Sequence, residues 1–181
     1  MKSVLNIYDD VFSDDILDKI SYLYSFFKQC NSNWQYDFIQ KKQLKEESSD
    51  LHTQYVKDII SELNHSVSFY GFALGYEAWI NNMPHDSKGL EYHYDCDEGH
   101  DEIINPLRTF VIYLGPSSDM KGGSLVLDIK GKYKDRSYNS VYSILEDLDD
   151  GWIQVPHKHG RVVSFDPTIP HAVLPINKIE K

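Results

Sequence analysis

From Val67 onward the chain breaks into eight short β-type runs punctuated by Gly, Pro, Asp and Asn. The runs cover residues 67–72, 74–80, 90–95, 108–114, 124–129, 152–155, 161–165 and 172–176. With no helical pattern between most of them, such strands must pair with one another, which predicts a sandwich, a jelly roll or a barrel. The first part of the chain differs. Ser13 stands as an N-cap before Asp14 and Asp15, and Ile16, Leu17, Ile20, Leu23, Tyr24 and Phe27 then recur at helical spacing. A second amphipathic helix is predicted over Thr53–Asn64, with Tyr55, Val56, Ile59, Ile60 and Leu63 inward. Residues 41–50 read as a polar, solvated connection, and residues 130–150 as an insertion on one rim. The fold class is therefore mainly β with N-terminal helices (α+β), in one domain of 181 residues.

Charge and cysteine content narrow the function. A net charge of −10 disfavours roles resting on non-specific phosphate contacts, so nucleic acid is not an expected partner. Lys130, Lys132, Lys134 and Arg136 alternate with other residues and read as the wet face of a hairpin. Two cysteines, Cys30 and Cys96, cannot organise a disulfide framework or a cysteine-rich zinc site. No run reaches membrane-span length, and Asp9 and Asp10 fall where a signal peptide would be apolar. These features predict a soluble, cytoplasmic protein with no membrane partner.

The chemistry-bearing residues stand out by position. A His-x-Asp pattern is weak alone, but His93-Tyr94-Asp95 falls within a run read as a strand. The period of two puts His93 and Asp95 on one face, where an imidazole and a carboxylate can share a metal ion. The plain alternative is an exposed strand with a polar face. His171 is the best third ligand, because it opens the run after the turn Asp166-Pro167-Thr168-Ile169-Pro170. His157 and His159, in a turn before Gly160, are weaker candidates, and His100 lies in an acidic loop. Two histidines and one carboxylate would take one face of an octahedral ion and leave three positions open, as in non-haem Fe(II) oxygenases.

Five features in order resemble the 2-oxoglutarate- and Fe(II)-dependent dioxygenases, in their prolyl-hydroxylase-like branch. They are His93-x-Asp95, then Arg108-Thr109-Phe110-Val111-Ile112-Tyr113-Leu114, then Gly122-Gly123-Ser124-Leu125, then Gly160-x-Val162-Val163-x-Phe165, then His171-x-Val173-x-Pro175. The opening run from Leu5 to Phe12 resembles the family's approach to its first helix, so the resemblance spans nearly the whole chain. One departure is Gly115, where many relatives have Asn.

The resemblance implies a double-stranded β-helix, a cupin-like jelly roll, over residues 67–181, with residues 1–66 as helical support. It implies that His93, Asp95 and His171 hold Fe(II), that Tyr113 binds the distal carboxylate of 2-oxoglutarate, and that Lys181, with Lys178 as backup, pairs with that carboxylate. Dioxygen and 2-oxoglutarate would be co-reactants and ascorbate an auxiliary reductant. The expected reaction is hydroxylation of an unactivated C–H bond, with a prolyl residue of a peptide or protein as the leading substrate. A free amino acid or other small metabolite is the alternative substrate class, and a metal-binding jelly-roll module without oxygenase activity or a purely structural sandwich are the alternative roles. Asp97, Glu98, Asp101 and Glu102 follow the expected metal strand and would favour a cationic substrate. The family's next strand begins near the position of Lys181, so the expectation is that the jelly roll lacks its last strand here and that the natural protein continues further.

Overall fold

The computed structural model describes residues 5–30, 34–67, 75–83, 87–95, 106–115, 121–131 and 151–177. They fall into two compact units, one drawn from residues 8–82 and one from residues 1–7 and 83–181.

The 8–82 unit holds α1 (Asp14–Cys30), β2 (Trp34–Gln40), a 3-10 turn (Lys41–Lys45), α2 (Leu51–Ser66) and β3 (Gly75–Ile80). The apolar stripes form as their spacing predicts: Ile16, Ile20, Leu23 and Phe27 are buried on α1, and Val56, Ile59, Ile60 and Leu63 on α2. Ser13 holds the N-cap position of α1, but its hydroxyl turns to α2. Its carbonyl accepts from Leu17 N at 2.9 Å, while its hydroxyl donates to Glu62 Oε2 at 3.0 Å. The carboxylate of Glu62 on α2 thus adds negative charge at the start of α1, beside Asp14 and Asp15. Lys19 bonds Asp15 and Asp58 at 2.8 Å each, and those two bonds raise its pKa. α2 begins before Thr53 because Asp50 Oδ2 accepts from Thr53 N at 2.7 Å, and hydrogen bonds from the Thr53 side chain first and its backbone second lower the Asp50 pKa. β2 is a strand the sequence reading passed over, although Trp34, Tyr36 and Phe38 alternate in it. It pairs antiparallel with β3 from Trp34↔Ile80 to Gln40↔Gly75, with an irregularity between Tyr36 and Ile39.

The other unit is built of antiparallel sheets. Its strands are β1 (Leu5–Tyr8), β4 (Leu90–His93), β5 (Thr109–Ile112), β6 (Lys121–Gly122), β7 (Leu125–Asp128), β8 (Trp152–Val155), β9 (Val162–Phe165), β10 (His171–Val173) and β11 (Ile176–Asn177). One sheet runs β1-β9-β5 and another β4-β10-β7-β8, with β11 and β6 as a separate pair. The order β4-β10-β7-β8 sets a late strand between two earlier ones, an arrangement of Greek-key type. Val163 and Phe165 from the three-stranded sheet share one core with Leu125, Leu127 and Val155 from the four-stranded sheet, and Tyr113 and Ile169 complete it. Alternation along β7 sends Val126 to the opposite face, into a second cluster with Trp152, Ala172 and Leu174. None of the helices among the described residues is long and apolar enough to cross a membrane.

The run predicted over 172–176 splits in two. Pro175 has no N–H to give a ladder, and its carbonyl instead accepts from Gly123 N at 3.1 Å, so pairing changes from β7 to β6 at that point. This close approach depends on Gly122, at φ 88°, where a Cβ would stand 2.0 Å from Pro175 O. The same holds at Gly89, at φ 91°, where a Cβ would stand 2.2 Å from Val173 O. G122A and G89A should each lower stability by about 2–4 kcal/mol, the sum of a left-handed backbone cost and a steric one. Chemical denaturation of the two variants beside the wild type measures this, and an unchanged midpoint in either would contradict it.

Candidate metal centre

His93 and His171 meet because β4 and β10 lie antiparallel with these two residues directly opposite. The pairing then shifts: Val173 faces Leu90, so β4 takes three steps where β10 takes two. An irregularity of this kind re-aims side chains near it. The two rings end with centroids 4.3 Å apart at 55°, and Phe165 meets His171 edge-on at 4.7 Å.

The turn after β9 orients both His171 and Asp95. Asp166 organises it, its Oδ1 accepting from Thr168 N at 3.0 Å and Thr168 Oγ1 at 2.6 Å, and its carbonyl from Ile169 N at 2.9 Å. Pro167 O then accepts from Asp95 N at 3.3 Å, and Ile169 O sits 3.0 Å from His171 Nδ1. His93 Nδ1 lies 2.7 Å from Glu91 O in the same manner. A backbone carbonyl can only accept, so each Nδ1 is a protonated nitrogen, which leaves Nε2 as the ring atom that can ligate a metal.

Those two Nε2 atoms face one carboxylate. Asp95 Oδ1 is 3.6 Å from His93 Nε2, and Asp95 Oδ2 is 3.5 Å from His171 Nε2. The three donor atoms lie within 4.8 Å of one another, a group able to hold a metal ion. Ligands bound about 2.1 Å from a shared ion stand roughly 3 Å apart when adjacent, so the gap needs only a small contraction. Burial pushes the His171 pKa down, against the opposing pull of Asp95, which favours the neutral imidazole that a metal requires. His93 is the open side of the group, with 36% of its side chain exposed against 4% for His171.

The histidines read as weaker candidates lie elsewhere. His157 packs edge-on against Tyr113 at 4.8 Å, and His159 Nδ1 is 2.9 Å from Leu114 O. Neither belongs to the metal-competent group. His100, the acidic residues Asp97, Glu98, Asp101 and Glu102, residues 132–150, and both Lys178 and Lys181 lie outside the described residues.

Tyr113 is buried in the core between the two sheets, continuing the alternation of Thr109 and Val111 just past β5. Its hydroxyl donates to Val155 O at 3.2 Å and accepts from Leu125 N at 3.0 Å. Leu125 and Val155 face each other in the β7–β8 ladder, so this hydroxyl sits at the mouth of that pairing. Burial pushes its pKa up to about 12, and it stays a neutral donor across ordinary pH. Thr109 is a contact the motif reading did not single out. Its Oγ1 donates to Asp95 Oδ2 at 2.6 Å.

No protein-family model matches the chain, and no curated protein matches it by sequence at a significant level. Solved structures do match. A prolyl-4-hydroxylase from Pseudomonas putida superposes with a TM-score of 0.57 at 16% identity, over 98% of this chain and 88% of that one. A viral collagen prolyl hydroxylase from Paramecium bursaria Chlorella virus-1, in its 2-oxoglutarate complex, gives 0.55 at 15% identity over 98% and 90%. A truncated form of the viral enzyme gives 0.54 at 16% identity over 97% and 84%. The chain therefore shares the fold of these prolyl hydroxylases, as its ordered motifs led us to expect.

Two outcomes follow from the surroundings of Tyr113. Y113F leaves Leu125 N–H and Val155 C=O without their bridge and should cost about 1–3 kcal/mol in a denaturation experiment. His157 is held down to about 4, chiefly by burial and then by the charges of His159 and Arg161. Below its ordinary value of 6.5 the unfolded chain takes up a proton that the folded chain refuses until about pH 4. This contribution is therefore intact above pH 6.5 and is lost as pH falls from 6.5 toward 4. The urea midpoint should drop between pH 7 and pH 5, and H157Q should make that drop smaller; an equal drop in both proteins would refute the assignment.

Proposed function

We propose that this protein is a 2-oxoglutarate- and Fe(II)-dependent dioxygenase with a jelly-roll core, hydroxylating an unactivated C–H bond in a prolyl residue of a peptide or protein. The observation that carries the proposal is the convergence of His93, Asp95 and His171, donor atoms inward, within the fold shared with prolyl hydroxylases. Two antiparallel sheets, β1-β9-β5 and β4-β10-β7-β8, sharing one core support the jelly-roll reading. The donor set fits Fe(II). Two imidazoles and one carboxylate would occupy one face of an octahedral ion and leave three positions open, and no cysteine joins the group among the described residues.

The chemistry supplied by iron(II), 2-oxoglutarate and dioxygen when bound is oxidation of a C–H bond to an alcohol, with succinate and carbon dioxide as co-products. The chain's own part is to hold and orient. His93, Asp95 and His171 are the proposed iron ligands, their aim set by Glu91 O, Pro167 O and Ile169 O. Tyr113 is the proposed partner of the cosubstrate's distal carboxylate, turning its O–H from Val155 O to a charged acceptor. Lys181 is the proposed cation for the same carboxylate. The prolyl substrate is drawn from the names of the structural neighbours, which share this fold.

Anaerobic addition of Fe(II) and 2-oxoglutarate tests the reading directly. The wild type should develop a metal-to-ligand charge-transfer absorption, and D95A and H171A should not. Succinate release in air should then rise with proline-containing peptides above its level with free amino acids. A wild type that shows neither the absorption nor succinate would instead be a jelly-roll module without oxygenase activity.

A further inference from the structure

A carboxylate can ligate a metal through one oxygen or through both. For Asp95 the choice matters, because a second oxygen on the ion would take a position that a chelating keto acid needs. Thr109 bears on that choice. Its hydroxyl reaches Asp95 Oδ2 at 2.6 Å, a short bond of the charge-assisted kind. Both groups are nearly out of water, Thr109 at 9% exposure and the Asp95 side chain at 9%.

Both ends of this bond are anchored near the end of β9. Thr109 sits in β5 directly opposite Phe165 of β9, in the three-stranded sheet. Asp95 follows β4 of the four-stranded sheet and is tethered through its backbone N–H to Pro167 O. The hydroxyl donor therefore belongs to a different sheet from His93 and His171. A hydrogen bond on Oδ2 draws charge from that oxygen and occupies a lone pair, leaving Oδ1, beside His93 Nε2, as the stronger donor.

We propose that Thr109 is a positioning residue that keeps Asp95 a one-oxygen ligand and thereby preserves the open position needed for two-point binding of the keto acid. This rests on Asp95 ligating the metal, as in the proposed function. Removing the hydroxyl should leave metal binding in place and selectively weaken what binds next to Asp95.

The test compares the full wild-type chain with T109V, T109A and T109S, loaded with Mn(II) to avoid oxidation. Melting temperatures identify which hydroxyl-free variant is folded, so that T109A carries the comparison if T109V does not fold. Mn(II) affinity should change little in the hydroxyl-free variant. Its 2-oxoglutarate affinity on the Mn(II) protein should fall about tenfold or more, because a second carboxylate oxygen would contest one of the two positions the keto acid needs. Its Fe(II)–2-oxoglutarate absorption should weaken in parallel, while T109S, which keeps the hydroxyl, stays close to wild type. Wild-type 2-oxoglutarate affinity in a folded T109V or T109A overturns the proposal, as does a T109S loss equal to theirs, which would make the methyl group the cause. A wild type that binds no Mn(II) overturns the functional reading itself, a result distinct from either.

Discussion

The site depends on one backbone register. β4 and β10 pair so that His93 and His171 are opposite, and a slip by one residue would send one ring to the other face of the sheet. Several contacts hold that register. On one side β10 is locked to β7 through three consecutive pairs, from His171↔Leu127 to Val173↔Leu125. Just beyond it, Leu174 N bonds Ser124 O at 2.9 Å. At the other end of β4, Gly89 admits Val173 O closer than any side chain would. The donor set is thus the outcome of strand alignment, and the buried core that surrounds Phe165 keeps the strands aligned.

Much of this was legible in the sequence, and the rest was not for specific reasons. The strands around Trp152, Val162 and Leu125 were readable because they are bounded by turn residues and are strongly apolar. His93 and Asp95 could be placed on one face because their spacing is local and the period of a strand is two. That His171 joins them is a long-range fact of pairing, which its place at the head of a run after a turn suggested and only the β4–β10 register shows. β2 carried a period-two signal in Trp34, Tyr36 and Phe38 and could have been found. β6 and β11 are two residues each, below the length at which alternation means anything. The Thr109–Asp95 bond crosses between sheets, so alternation could put Thr109 on the same face as Tyr113 but could not say what it would meet.

Tyr113 shows how a core can hold a polar group at low cost. Its hydroxyl gives to Val155 O and takes from Leu125 N, so the buried oxygen and both backbone groups are satisfied together. An unpaired hydroxyl there would be destabilising, and a phenylalanine would strand the two backbone groups. The residue is therefore a structural element of the β7–β8 ladder whatever else it contacts.

The turn from Asp166 to Pro170 has a different kind of consequence. It aims Asp95 and His171 with main-chain carbonyls, those of Pro167 and Ile169. A carbonyl oxygen belongs to every residue type, so no exchange of one side chain for another can delete it. The acceptor at 167 thus survives a change of side chain there, provided the turn keeps its length and the shape that Asp166 gives it. Insertion or deletion is what the aim cannot survive, because either would move both acceptors at once. Retuning this centre by design would thus begin with loop length and with Asp166, whose side chain shapes the loop.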